Sequence, residues 1–199
     1  MSGHRNHALQ QAVGVILRGG VVAYPTDTVY GIGALALSTD AVNRVIALKG
    51  RDSTAPISVA VADWEMAELV IDSGACAGVI GRIRDLLPGP YTVLLPSRQG
   101  LPPPIMGPTG LVGLRIPAND LAISLSHECG PLTATSANVT GSNSPLSANE
   151  VELPVDYVLD GGQCRYGKES TVFDPIAMKV LRRGAGYEEV EAWLRTTSG

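Results

Sequence analysis

Phenylalanine occurs once in the 199 residues, and aromatic residues of all kinds make up only 5% of the chain. A core without aromatic mass has to be filled by Val, Leu, Ile and Ala, and the 45% hydrophobic content supplies them. At this length a globular chain buries roughly 70% of the surface its unfolded form exposes. Charge is scarce too, at 17%, and lysine is the scarcer cation: Lys49, Lys168 and Lys179 stand beside twelve arginines. The net charge of −4 argues against a broad electrostatic grip on nucleic acid. Cys76, Cys129 and Cys164 are odd in number, far apart and without C-x-x-C spacing. That excludes a disulfide frame or a cysteine zinc site and fits thiols in a reducing, cytoplasmic compartment. His4, His7 and His127 form no metal pattern. The first apolar segment is interrupted by Arg18-Gly19-Gly20, which excludes a signal peptide or a membrane span there.

The stretch around which the rest is organised is Tyr24-Pro-Thr-Asp-Thr-Val-Tyr-Gly-Ile-Gly33. It follows the apolar Val21-Val22-Ala23, which reads as a buried strand, and breaks that pattern with a proline, three polar side chains and two glycines. Thr26, Asp27 and Thr28 would waste a buried position unless something polar sits against them, and glycine lets backbone approach a ligand closely. The plainer reading is a turn in which Thr and Asp satisfy their own backbone.

Apolar spacing predicts a helix over 5–18, closed by Gly19-Gly20. Ser38-Thr39-Asp40 predicts an N-cap for a helix ending at Lys49-Gly50-Arg51. Helices are expected from Asp63, from Ser73 to Leu86-Leu87, from Asn119 to Glu128, and from Glu188. Strands are expected at 21–24, 57–61, 91–95, 111–116, 132–134, 157–159, 171–173 and 179–181. The Pro- and Gly-rich stretch from Gly100 to Gly110 reads as the most mobile loop. Helices alternate irregularly with short strands, so the expected class is α/β or α+β, an open mixed sheet with flanking helices rather than a regular parallel one.

Two familiar patterns fail. Gly31-Ile-Gly33-Ala-Leu-Ala36 matches a dinucleotide fingerprint by letter, but no helix signal appears until Ser38. Gly162 to Lys168 matches most of a phosphate-binding loop, but the hydroxyl that should follow is Glu169, whose charge would oppose a phosphate. Lys168 then reads as a surface or rim cation.

What survives is a set of strand-end groups. Lys49 and Arg51 flank Gly50 at a helix end, where they either complement the helix dipole or point at an anion. Ser136 and Asn138 follow one apolar strand, Ser170 and Thr171 open another, and Arg182 closes a third. Arg115 sits between Leu114 and Ile116, where an unpaired charge is expensive, so it needs an anionic partner. Hydroxyls, amides and cations with few carboxylates suit a nucleotide together with a small carboxylate.

On these residues the chain resembles the YrdC/Sua5 family of L-threonylcarbamoyladenylate synthases. The resemblance rests on Tyr24 to Gly31, Ala47 to Arg51, Pro88 to Thr92, Val112 to Pro117, Thr135 to Gly141, Ser170 to Val172 and Leu181 to Ala185, in the family's order. It implies an open, twisted sheet with a concave cleft, and a reaction in which L-threonine and bicarbonate form an N-carboxylate that attacks the α-phosphate of ATP and releases pyrophosphate. By the same resemblance Thr28, Arg115, Ser136 and Ser170 would hold threonine, and Lys49, Arg51, Asn138, Ser144 and Arg182 would hold ATP. Lys49 and Arg51 would stabilise the charge that develops, with Mg2+ on the phosphates. The product would pass to a downstream tRNA threonylcarbamoyl transferase complex, so the protein itself needs at most weak tRNA binding and no membrane. The resemblance implies the short form, a single domain over 1–199. Asp52, Arg183 and Ala60 depart from the family's usual residues, and Asp52 adds a negative charge beside the expected phosphates. The alternative is a relative that keeps the cleft as an RNA- or ribosome-binding module without synthase activity.

Overall fold

The decapeptide does not stay a loop. After β1 (Val22–Tyr24) it turns, and its two glycines lie in a second strand, β2 (Gly31–Gly33), antiparallel to β1 with Tyr24 opposite Gly31. Gly-Ile-Gly carries one apolar side chain in three residues, too little alternation to announce a strand. The pairing explains the glycines: a Cβ on Gly33 would come within 3.0 Å of the Tyr24 ring.

The computed structural model describes residues 3–50 and 56–197. In chain order its helices are α1 (Gly3–Leu17), α2 (Thr39–Lys49), α3 (Trp64–Ala67), α4 (Ser73–Ile83), α5 (Pro103–Met106), α6 (Asp120–Cys129) and α7 (Tyr187–Thr197). The remaining strands are β3 (Ser58–Ala60), β4 (Tyr91–Pro96), β5 (Leu111–Arg115), β6 (Leu132–Ser136), β7 (Tyr157–Val158), β8 (Thr171–Asp174) and β9 (Lys179–Arg182). They form one open, nine-stranded sheet in the order β7-β1-β2-β6-β3-β5-β4-β8-β9. Parallel pairs (β1/β7, β3/β5, β4/β8) and antiparallel pairs mix, as the irregular helix–strand rhythm predicts. The expected caps hold: Ser38, Asp63 and Asn119 each accept a helix-start N–H through the side chain, and Gly50 ends α2 in the left-handed conformation.

The two faces of the sheet are covered unequally. On one face Ile32, Val59, Val93, Leu95, Val112, Leu114 and Phe173 pack with Val42 and Val45 of α2, Ala67 of α3, Val79 and Ile83 of α4, and Val190 of α7. Each Val, Leu, Ile or Phe among them, fully buried, contributes about 1.5–3 kcal/mol, so a core with few aromatic rings is carried mainly by aliphatic side chains. The single Phe meets Trp193 of α7 edge-on, ring centres 5.8 Å apart. On the other face a smaller cluster, Val22, Tyr24 and Leu132 with residues of α1 and α6, covers one end. Beyond it the strands present Gly31, Ala134, Ser58, Gly113 and Thr92, alternate residues that share this face by register and are small. A Cβ on Gly113 would lie 2.6 Å from Ser58 Oγ. Small side chains without helices over them leave a hollow.

One expectation is corrected. The stretch from Gly100 to Gly110 is not irregular throughout: α5 forms within it, started by prolines where missing N–H groups do no harm, and Leu101 and Ile105 are buried in the main core. No helix among the described residues is long and apolar enough to cross a membrane.

Candidate functional site

The hollow is a cavity of about 540 Å³ lined by Lys49, Arg115, Ser136, Asn138, Ser170 and Arg182 together with the small floor residues and Tyr24. That volume lies in the range of small-molecule sites. Of the residues the sequence points to, these six line it. Thr28 and Ser144 do not, and Arg51, like Asp52, lies outside the described residues.

Thr26, Asp27 and Thr28 divide their work. The Thr26 hydroxyl donates to the Val29 carbonyl at 2.7 Å and accepts from the backbone N–H groups of Thr28 and Val29, as the plainer turn reading expects. Asp27 and Thr28 instead face Arg115. Its Nη2 donates to Asp27 Oδ1 at 2.9 Å and to Thr28 Oγ1 at 3.1 Å, with both charged side chains buried. The Thr28 hydroxyl is 2.9 Å from Thr26 Oγ1, and because the Thr26 proton goes to Val29, Thr28 is the donor. The anionic partner that Arg115 requires is therefore already supplied by the chain. Sequence reading missed Asp27 in this role, although it sits in the same decapeptide. The pair is incompletely satisfied: Arg115 Nε and Asp27 Oδ2 are buried with no hydrogen-bond partner among the described residues. Such groups cost about 1–3 kcal/mol each.

Lys49 is buried at the end of α2, not solvated, and its Nζ reaches across to β6. It donates to the carbonyls of Ser136 (2.5 Å) and Asn138 (2.9 Å), with Ser136 Oγ and Asn138 Oδ1 at 3.4 and 3.5 Å. The ammonium thus gathers the Ser-x-Asn segment around one positive centre. Asn138 Nδ2 donates onward to the Ser142 carbonyl, closing the loop that follows.

Across the cavity Arg182 is held by Ser170, through Nε to the carbonyl (3.1 Å) and Nη2 to the hydroxyl (3.0 Å), while Ser170 Oγ is 2.8 Å from Thr92 Oγ1. Arg182 Nη1 pairs with Glu169 Oε2 at 2.6 Å, and the other carboxylate oxygen accepts from Ser144 Oγ at 2.9 Å. Ser144 therefore joins the site through Glu169 instead of lining it. Burial lowers the pKa of Arg182 and Glu169 opposes that; guanidinium stays charged either way. Tyr24, whose ring walls the floor, donates its hydroxyl to the Thr133 carbonyl, and burial pushes its pKa up to about 12. Gly31 and Gly33 lie in β2 with no helix starting at them, and β8 begins at Thr171, so neither rejected nucleotide motif has the required geometry. Arg183 turns away to lie over the Tyr187 ring, 4.6 Å from its centre.

The lining of the described residues thus carries three cations and one carboxylate. With Lys49, Arg115 and Arg182 on its wall, the cavity can bind anions.

A family model for Sua5/yciO/yrdC proteins, described as telomere recombination, matches residues 14–184. The chain is 38% identical to a threonylcarbamoyl-AMP synthase of Pyrococcus abyssi over 90% of this chain and 55% of the relative. It is also 38% identical to a putative threonylcarbamoyl-AMP synthase of Methanocaldococcus jannaschii over 79% and 75%. The solved structure of P. abyssi Sua5 complexed with L-threonine superposes with a TM-score of 0.86 at 36% identity, covering 93% of this chain and 56% of that one. The chain thus spans little more than half of the Pyrococcus relative's length.

Proposed function

The chain belongs to the Sua5/yciO/yrdC family, and from that premise we propose that it synthesises threonylcarbamoyl-AMP from L-threonine, bicarbonate and ATP. The observation that carries the reading is the convergence of Lys49, Arg115 and Arg182 with Ser136, Asn138 and Ser170 on one cavity. The threonine amine adds to bicarbonate with loss of water; a carbamate oxygen then bonds to the α-phosphorus of ATP as pyrophosphate leaves. Arg115 takes the threonine carboxylate, flanked by Ser136 and Ser170. Thr28, whose hydroxyl is committed to Thr26 and Arg115, acts on threonine by holding Arg115. Lys49, Asn138 and Arg182 hold the nucleotide, with Ser144 acting through Glu169; Arg51 is assigned to the phosphates by resemblance alone. Charge stabilisation and positioning supply most of the catalysis in this scheme. Magnesium enters as the counter-ion of the triphosphate. Among the described residues no cluster of three or more metal-type side chains forms, and the cavity's carboxylate, Glu169, is already engaged. The described residues therefore offer no cage of their own for it.

Mixing the protein with ATP, threonine and bicarbonate is expected to release pyrophosphate, with release dependent on both threonine and bicarbonate. Equal release without bicarbonate would indicate simple amino-acid adenylation, and none at all would favour the RNA-binding alternative. The product is handed to a tRNA-modifying transferase in the cytoplasm, so the synthase has no need to hold tRNA. Bare tRNA at physiological salt is expected to bind no tighter than about 10⁻⁴–10⁻⁶ M, the nonspecific range. Saturable nanomolar binding with a steep salt dependence would contradict this.

A further inference from the structure

Glu169 has the wrong sign for its position. The other charged groups lining the cavity among the described residues are Lys49, Arg115 and Arg182, and a carboxylate among them weakens every anion that enters. Its place is fixed from behind. Ala185 N donates to the Glu169 carbonyl at 2.7 Å, and the chain at Gly184 runs so close that a Cβ there would be 2.2 Å from that oxygen. Its two carboxylate oxygens are taken by Arg182 and Ser144, so the side chain links strand β9 to the loop after Asn138. Arg182, doubly anchored on Ser170, does not depend on Glu169 for its place. A purely structural strut is therefore redundant on that side, whereas the charge is not.

Resting on the nucleotide-binding reading above, we propose that Glu169 sets an upper limit on the cavity's affinity for polyphosphate. Before nucleotide arrives, Glu169 occupies Arg182 Nη1 in the manner of a phosphate oxygen. Incoming phosphates must share or displace that contact. After transfer the Arg182–Glu169 pair re-forms against pyrophosphate and favours its departure. A site that bound phosphates without this opposition would hold substrate and leaving group alike, which lowers KM without raising turnover.

The test is calorimetric binding of inorganic pyrophosphate and of ATP to the wild type, Glu169→Gln and Glu169→Asp, with steady-state turnover beside it. Gln keeps the shape and an acceptor for Arg182 but removes the charge. It is expected to bind both polyphosphates about tenfold more tightly, as loss of one nearby like charge predicts, to lower KM for ATP and kcat together, and to raise threonine affinity far less, since threonine brings one carboxylate where a polyphosphate brings several charges. Asp keeps the charge and is expected to stay within about threefold of wild type. Should the Gln variant fail to fold, Glu169→Ala removes the same charge and is expected to show the same gain in polyphosphate affinity, its absence overturning the proposal. Polyphosphate affinity in Glu169→Gln equal to or weaker than wild type overturns the proposal, as does an equal gain in Glu169→Asp. A wild type that binds neither ligand overturns it together with the nucleotide reading. A wild type that binds ATP yet releases no pyrophosphate defeats only the synthase reading, since the binding comparison still decides the role of Glu169.

Discussion

Replacing Arg115 with alanine is expected to destabilise the protein by about 3–5 kcal/mol and to abolish measurable threonine binding. The first effect follows from Asp27. Its carboxylate is buried against Arg115 Nη2, and truncating the arginine strands that charge in the interior. For a domain of this size such a loss corresponds to a fall in Tm of roughly 10 °C. The second effect follows from chemistry, since Arg115 lines the cavity as a cation and is the group proposed to take the threonine carboxylate. The two are separable by removing both partners. The double variant Asp27→Asn/Arg115→Met carries no stranded charge and should recover most of the stability, because replacing a whole buried pair is often neutral. It should not recover threonine affinity. Nucleotide binding, measured well below the melting temperature, should change little in either variant. Recovery of threonine binding in the double variant would show that Arg115 is only a strut, and unaltered threonine affinity in Arg115→Ala would remove it from the site altogether.

Much of this was readable in the chain, and the failures have physical causes. Helix ends are legible because they carry chemistry: Ser38, Asp63 and Asn119 cap through a hydroxyl, a carboxylate and an amide oxygen. β2 was hidden because glycines chosen for closeness to Tyr24 erase the alternation that marks a strand. α5 was hidden by its own prolines, which signal loop by composition yet are tolerated in a first helical turn. For the site, residue type named the candidates, but long-range pairing decided their state. Lys49 at a helix end reads as a solvated cation, and only the approach of β6 buries it among oxygens. Arg115 announces a need for an anion without saying which one, and the supplier lies 88 residues earlier. Glu169 adjoins Ser170 in sequence, but its effect on the cavity exists only because Arg182 and Ser144 converge on it. Thr28 reads as a ligand contact, and in the fold its hydroxyl meets Thr26 and Arg115 behind the cavity lining.

Removing the Lys49 ammonium is expected to damage turnover more than stability. In Lys49→Met the stem still packs, but the carbonyls of Ser136 and Asn138 lose a charged donor in a buried setting. That costs about 1–3 kcal/mol in folding. The larger loss is expected in the reaction, where under the proposed assignment the same centre meets charge building on the phosphates. Loss of one preorganised donor of this kind lowers turnover by about 10²–10³-fold. Under the proposed assignment nucleotide affinity should fall with it, and threonine affinity, assigned there to Arg115, should fall far less. Arginine should not restore activity, since a planar fork does not reproduce a compact ammonium among several oxygens at a buried position. If Lys49 served only the helix dipole, its removal would cost a few tenths of a kcal/mol and leave turnover intact. Single-turnover pyrophosphate release by Lys49→Met and Lys49→Arg, with ATP and threonine titrations of each, separates the two accounts. Turnover within a few fold of wild type in Lys49→Met would take the lysine out of the reaction and leave it as a clamp on the Ser-x-Asn segment alone.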